Sequence, residues 1–158
     1  MQRATFVIRD FAVADQGDVR WLIIEGLGEH WGSIDLSLNQ DLDDIAASFG
    51  QGRTLVVESG DGDGDGVIVG TGTILLRPGN VAEIVRMSVS REHRGVGIGQ
   101  LIASALVDQA RSWGCGRVIV ETASHWTEVV AFYARRGFRI THEVDGEFCR
   151  DTFFEMIL

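Results

Sequence analysis

Two adjoining stretches decide the fold of this chain: Val81-Ala82-Glu83-Ile84-Val85-Arg86-Met87-Ser88-Val89 and, five residues on, Arg94-Gly95-Val96-Gly97-Ile98-Gly99. The first is rich in β-branched residues, follows Pro78-Gly79-Asn80, and reads as a strand. After the glycines, Ile98, Leu101, Ile102, Ala105, Leu106, Ala110 and Trp113 recur at helical spacing, with Gly114 as the stop signal. A glycine-rich turn that opens a helix presents bare backbone N–H groups at the positive end of the helix dipole. That is an anion site, most often for phosphate. Arg94 adds a planar, charged fork of donors at its mouth. The plainer alternative for the glycines is a tight strand–helix turn.

Two kinds of phosphate cradle use such a turn. The dinucleotide fingerprint needs G-x-G-x-x-G and an acidic residue about 20 residues later, at the end of the next strand. Glu121 does end the run Val118-Ile119-Val120, but the third glycine comes one residue early. The pattern R-x-x-G-x-G, from Arg94 through Gly97 to Gly99, resembles instead the pyrophosphate-binding motif of the GNAT superfamily of acyl-CoA N-acyltransferases. Downstream, Phe132-Tyr133-Ala134-Arg135-Arg136-Gly137-Phe138 is similar to the F-Y-x-x-x-G-F segment that closes the acyl-CoA site of that superfamily. The spacing from Met87-Ser88-Val89 to Arg94 agrees as well, so the resemblance covers about residues 81–138.

The 158 residues suit one domain, expected to span 1–158, with ample length for a packed core. The first strand is expected at Thr5–Ile8, a helix from near Asp15 to Gly26 or Trp31, and a second short helix over Asp41–Phe49. Thr54–Glu58 and Val67–Leu76 read as a hairpin. Its tip holds Asp61, Asp63, Asp65 and Gly66, which match the first half of a calcium-binding EF-hand loop. Gly72 stands where the bidentate glutamate belongs, so a solvated hairpin tip is the better reading. Strands at Arg117–Thr122, Phe138–Val144 and Thr152–Ile157 and a helix at Thr127–Arg136 complete the order. Early hairpins and later βαβ connections imply an α/β (α+β) mixed sheet with helices on its faces. The GNAT resemblance sharpens this to about seven strands and four helices, with central strands splayed into a cofactor slot.

No apolar run reaches the ~20 residues of a membrane span, and no signal segment is evident at the start. Cys115 and Cys149 make no disulfide framework, so a cytoplasmic location is expected. A net charge of −9 argues against nucleic acid as a partner and favours approach of a cationic amine. All 14 basic residues are arginines, so the chain offers no lysine amine of its own as an acyl acceptor.

The resemblance implies acetyl-CoA as acyl donor, no metal, and transfer to a primary amine of a small molecule or peptide by direct attack. It assigns the diphosphate to N–H groups of Gly95, Val96, Gly97, Ile98, Gly99 and Gln100, with Arg94 beside them. The backbone of Met87, Ser88 and Val89 takes the pantetheine arm as an added strand. Glu83, eleven residues before Arg94, stands where histone-acetyltransferase-type members carry their base, although a solvent-facing strand-end glutamate fits equally. Glu121 and His125 are the fallback bases. Tyr133, the only tyrosine, matches the position from which a phenol protonates the departing sulfur; its other role is helix packing. Trp126 replaces an asparagine that contacts the cofactor in many relatives. Cys115 and Cys149 lie in no matched motif, so covalent catalysis is not favoured.

Acceptor selection is expected from Glu25, Glu29, His30, Trp31 and Asp35 at one end of the slot and Asp145, Glu147 and Phe148 at the other. Pairing of C-terminal strand edges into a homodimer is a further expectation of the resemblance. The rival readings are an acyl-CoA-binding domain without turnover and a fragment of a dinucleotide-dependent oxidoreductase.

Overall fold

The computed structural model describes residues 5–60 and 66–158. The expected acidic hairpin tip, Asp61, Asp63 and Asp65, lies outside them. Seven strands form one mixed sheet: β1 (Phe6–Asp10), β2 (Arg53–Ser59), β3 (Ile68–Arg77), β4 (Val81–Val89), β5 (Arg117–Ala123), β6 (Arg139–Asp145) and β7 (Arg150–Ile157). Their order is β1-β2-β3-β4-β5-β7-β6. Four α-helices join them: α1 (Gln16–Trp31), α2 (Ile45–Ser48), α3 (Ile98–Ser112) and α4 (Thr127–Arg135).

Each face of the sheet has its own core. On one, α3 sets Ile98, Ile102, Leu106 and Ala110 one turn apart against Ala82, Ile84, Val118 and Val120. Tyr133 of α4, Phe138 and Phe154 extend that core under β7. On the other face, Val19 and Ile23 of α1 pack with Leu42, Ile45 and Val56. Among the described residues no helix is long and apolar enough to cross a membrane.

The expected helix over Asp41–Phe49 is broken in two. Residues Gln40–Asp43 form a 3₁₀ turn, and Asp44 interrupts it in an extended conformation. The Asp44 side chain then accepts from the Ala47 N–H at 3.1 Å, capping the single turn of α2. A short carboxylate that bonds the backbone ahead of it starts a new helix more readily than it continues an old one.

The parallel join between β4 and β5 is short. It consists of Val81–Arg117, Ala82–Val118 and Glu83–Ile119, after which β5 remains paired to β7 on its other side while β4 stays with β3. Beyond Glu83 the two strands part. A bulge in β4 accompanies the parting: Thr73 pairs with Val85 but Thr71 with Ser88, leaving Arg86 and Met87 opposite a single residue. Arg86 sits at φ 54°, a left-handed backbone that a branched-out arginine adopts at a cost. Its guanidinium is fixed by a bidentate pair with Asp41, at 2.8 and 2.7 Å. The bulge reverses the alternation of β4, so Ala82 and Ile84 share the α3 face with Met87 and Val89, while Ser88 points to α1.

Leu106 is fully buried where α3 crosses the sheet. Leu106→Ala is expected to lower unfolding free energy by about 2–5 kcal/mol, read by urea denaturation. A loss within experimental error would place the α3 core elsewhere.

Candidate active site

The parted strands open a cavity of about 810 Å³, walled by β4 and the loop after it, β5, α4 and the C-terminal half of α1. One end is built for an anion. Gly97, at φ 93°, caps α3 in the left-handed region, and Gly95 at φ 80° precedes it, so the first turn of α3 opens with unpaired N–H groups toward the cavity. Gly99 serves a different need: a Cβ there would meet the Phe132 ring of α4 at 3.0 Å. Gly95, Gly97, Ile98, Gly99 and Gln100 all line the cavity, as do Met87, Ser88 and Val89. Val96 is not among the lining residues and is 61% exposed.

Arg94 lines the cavity but its fork is engaged. Its two terminal nitrogens donate to Glu29 of α1 at 2.7 and 3.2 Å, and Nε donates to the Val89 carbonyl at 3.0 Å. In this arrangement it ties α1 to the turn. The position expected to hold asparagine, Trp126, stacks its indole on His30 at 4.3 Å between centroids. Trp31 meets Trp126 and His125 edge-on, each at 5.4 Å. These rings join the end of α1 to the β5–α4 connection across the mouth of the cavity.

The other end is acidic. Glu83 lines the cavity with its Oε1 bound by Arg77 at 2.6 Å. Glu121 lies on the same sheet face, two residues along β5 from the partner of Glu83, and Asp151 approaches from β7. Burial first, then the Asp151 and Glu83 charges, hold Glu121 above the usual carboxylate range. Tyr133 is 3% exposed, wedged among Phe132, Phe138 and Phe154, and contributes to the cavity wall. Burial pushes its phenol well above its ordinary value, which keeps it a protonated donor. Glu83, Glu121 and Tyr133 all line this cavity, whereas His125 faces the aromatic bridge and a neighbouring cavity.

Of the expected acceptor-side residues, His30 and Trp31 reach the cavity. Asp35 is turned onto Ser37, and Asp145 is paired with Arg150. From that end Cys149 and Asp151 contribute instead. The Cys149 thiol lies 3.3 Å from Asp151, and burial followed by the Asp151 carboxylate pushes its pKa up, the wrong direction for a nucleophile. Asp151 went unnoticed in the sequence because only the strand order β5-β7 brings it beside Glu121. Among the described residues no group of three or more His, Cys, Asp or Glu is placed to hold a metal ion.

Glu121 also has a stability signature. Its affinity for a proton is raised on folding, so it contributes stability below its unfolded pKa and loses it as pH rises through the folded value. Glu121→Gln should therefore raise the melting temperature at pH 8, with the gain shrinking toward pH 4. An equal shift at both pH values would show that the carboxylate is not perturbed.

The acetyltransferase (GNAT) family matches residues 18–138. An IAA acetyltransferase of Azospirillum brasilense is 32% identical over 74 residues, 46% of this chain and 48% of that protein. The match thus spans about half the length of that relative. The fold is shared with a GNAT-family acetyltransferase of Staphylococcus aureus Mu50, with a TM-score of 0.82 at 16% identity over 98% of this chain and 99% of the other. It is also shared with the PaiA N-acetyltransferase of Thermoplasma acidophilum in complex with coenzyme A, with a TM-score of 0.74 at 13% identity over 98% and 99%. With a family match over most of its length and a seven-stranded sheet parted at the motif-bearing strand, this chain belongs to the GNAT acetyltransferase family.

Proposed function

We propose that this protein is an N-acetyltransferase that moves an acetyl group from acetyl-CoA to a primary amine of a small molecule or peptide, within a ternary complex. The observation that carries the reading is the parting of β4 from β5 beside the glycine-opened helix. The free edge of Met87–Val89 can pair an amide-bearing arm, and the N–H groups from Gly95 to Gln100 can take a diphosphate at its end. Both are backbone features that act together only at such a parting. The coenzyme A held by the Thermoplasma relative supports the same choice of ligand.

Acetyl-CoA supplies an acyl group on a good leaving sulfur. The amine arrives as an ammonium ion with a pKa near ~10 and must lose a proton before it attacks. Glu121 is the base this arrangement favours, because its carboxylate is held above the usual carboxylate range, whereas the Oε1 of Glu83 is taken by Arg77. Glu83 and Asp151 add negative charge that draws the cation to that end. Glu121 takes the ammonium proton before attack. As the new C–N bond forms and the C–S bond breaks, Tyr133 gives its proton to the sulfur. The second proton on nitrogen returns by way of solvent to the Tyr133 phenolate, and Glu121 releases its proton to solvent. An N–H group of the β4 edge is suited to polarise the carbonyl.

Calorimetric titration with acetyl-CoA, in parallel with NAD, is the first test. Micromolar binding of acetyl-CoA and none of NAD is expected; the reverse would overturn the reading. With an amine identified by thiol release in a screen, Tyr133→Phe should lower kcat about 100-fold and leave acetyl-CoA affinity unchanged. Glu121→Gln should lower kcat similarly and flatten the acidic limb of the pH–rate profile. Binding with no thiol release to any primary amine would instead favour an acyl-CoA-binding domain without turnover.

A further inference from the structure

Arg86 lines the cavity at φ 54°, a region that suits glycine and costs a residue with a Cβ. Left to local preference, Val85-Arg86-Met87 would run on as regular strand. Contacts from outside β4 must therefore offset the strain.

On the α3 face, Gly72 of β3 leaves room for Met87: a Cβ at Gly72 would meet the Met87 Sδ at 2.5 Å. On the α1 face, Gly26 leaves room for Ser88, whose Oγ would lie 2.8 Å from a Cβ there. That Oγ donates to the Leu22 carbonyl at 3.3 Å. Packing on both faces favours the bulged phase, and the backbone of Arg86 opposes it. The balance is tipped by Asp41, which takes two bonds from the Arg86 guanidinium at 2.8 and 2.7 Å. The two side chains are only 21% and 30% exposed. Asp41 is itself on a pinned turn. Leu42 beside it is fully buried, the Gln16 amide donates to the Leu42 carbonyl at 2.8 Å, and the Ile45 N–H donates to Gln16 at 2.9 Å. The turn is thus the fixed partner, and Arg86 is the one restrained.

Along a strand, N–H groups alternate between the two edges as side chains alternate between the two faces. The extra residue at 86 therefore decides which N–H groups beyond it turn to β3 and which to the open edge. Resting on the acetyl-CoA reading above, we propose that Asp41 is a positioning residue for acyl transfer. Through Arg86 it holds the bulge whose phase aims the Met87–Val89 edge at the acyl-bearing arm of the donor. Asp41 acts by offsetting backbone strain, so the reaction depends on the conformation of residue 86 and not on its charge. The turn between α1 and α2 thereby becomes a support of the donor strand.

Thiol release from acetyl-CoA with an accepted amine, measured beside the backbone amide resonances of Ser88 and Val89, tests this. Asp41→Asn should lower kcat about tenfold and shift both resonances. Arg86→Ala, which loses the pair but keeps a Cβ, should do the same. Asp41→Asn combined with Arg86→Gly should bring kcat back to within about threefold of the unmodified protein, because glycine takes the left-handed backbone without an ion pair. The resonances should return with it. Asp43→Asn, on the same turn and 63% exposed beside Arg20, should change neither readout. An unchanged kcat in Asp41→Asn overturns the role while leaving acetyl transfer intact. A double variant no faster than Asp41→Asn also overturns it, since the pair would then only fasten the turn to the sheet. Should Asp41→Asn fail to fold, Arg86→Gly against Arg86→Ala decides: equal kcat in the two overturns the proposal. No thiol release by the unmodified protein with any amine overturns the transferase reading, and this role with it.

Discussion

Backbone that leaves one strand without gaining another is the constraint from which the rest of this molecule follows. A parallel pair is stable because every N–H and C=O between its members is used, and unpaired groups turned away from water are costly. Here the pair lasts for three residues on each strand, and the following edges of β4 and β5 face a cavity. The neighbours on either side are fully laddered, β3 to β4 and β7 to β5, so neither strand can move to close the gap without breaking those ladders. What remains is a fixed opening with hydrogen-bonding capacity on its edges. A helix N-terminus at one end and carboxylates at the other then divide the opening by charge.

The bulge at Arg86 is part of the same construction. Without it, the alternation of β4 would turn Met87 away from the α3 core and turn Ser88 into it. Asp41 holds the strained residue from a 3₁₀ turn 45 positions earlier, so the phase of the strand edge depends on a segment far away in sequence. Glu29 restrains Arg94 in a similar way across 65 positions. Both contacts fasten the α1 side of the cavity to the strand and turn expected to receive the cofactor.

The sequence made some of this legible because some of it is local. The glycine turn, the helix that follows, and Gly137 after α4 are written in consecutive residues whose backbone preferences are strong, and each stands where it was expected. Seven strands and their order of appearance were readable from alternation and turn residues for the same reason. The break at Asp44 was missed because a carboxylate can begin a helix or sit within its first turn, and only its side-chain bond to Ala47 decides. The gathering of Glu83, Glu121 and Asp151 was not readable, since it requires β7 to insert between β5 and β6. The partner of Arg94 was hidden too: the pattern marks a cation at the cradle, but it cannot tell that α1 delivers a glutamate to it.

The ring contacts at the opening have a kinetic meaning. Three laddered pairs act as the closed end of a peg, and at its open end the His30–Trp126 stack joins α1 to the β5–α4 connection. A long, jointed ligand threads such a peg only when that stack parts. Parting two stacked rings breaks no hydrogen bond, and the indole Nε1 of Trp126 has none to lose. A latch built from ring faces can therefore open in small steps and close again without a step that strands a previously satisfied polar group.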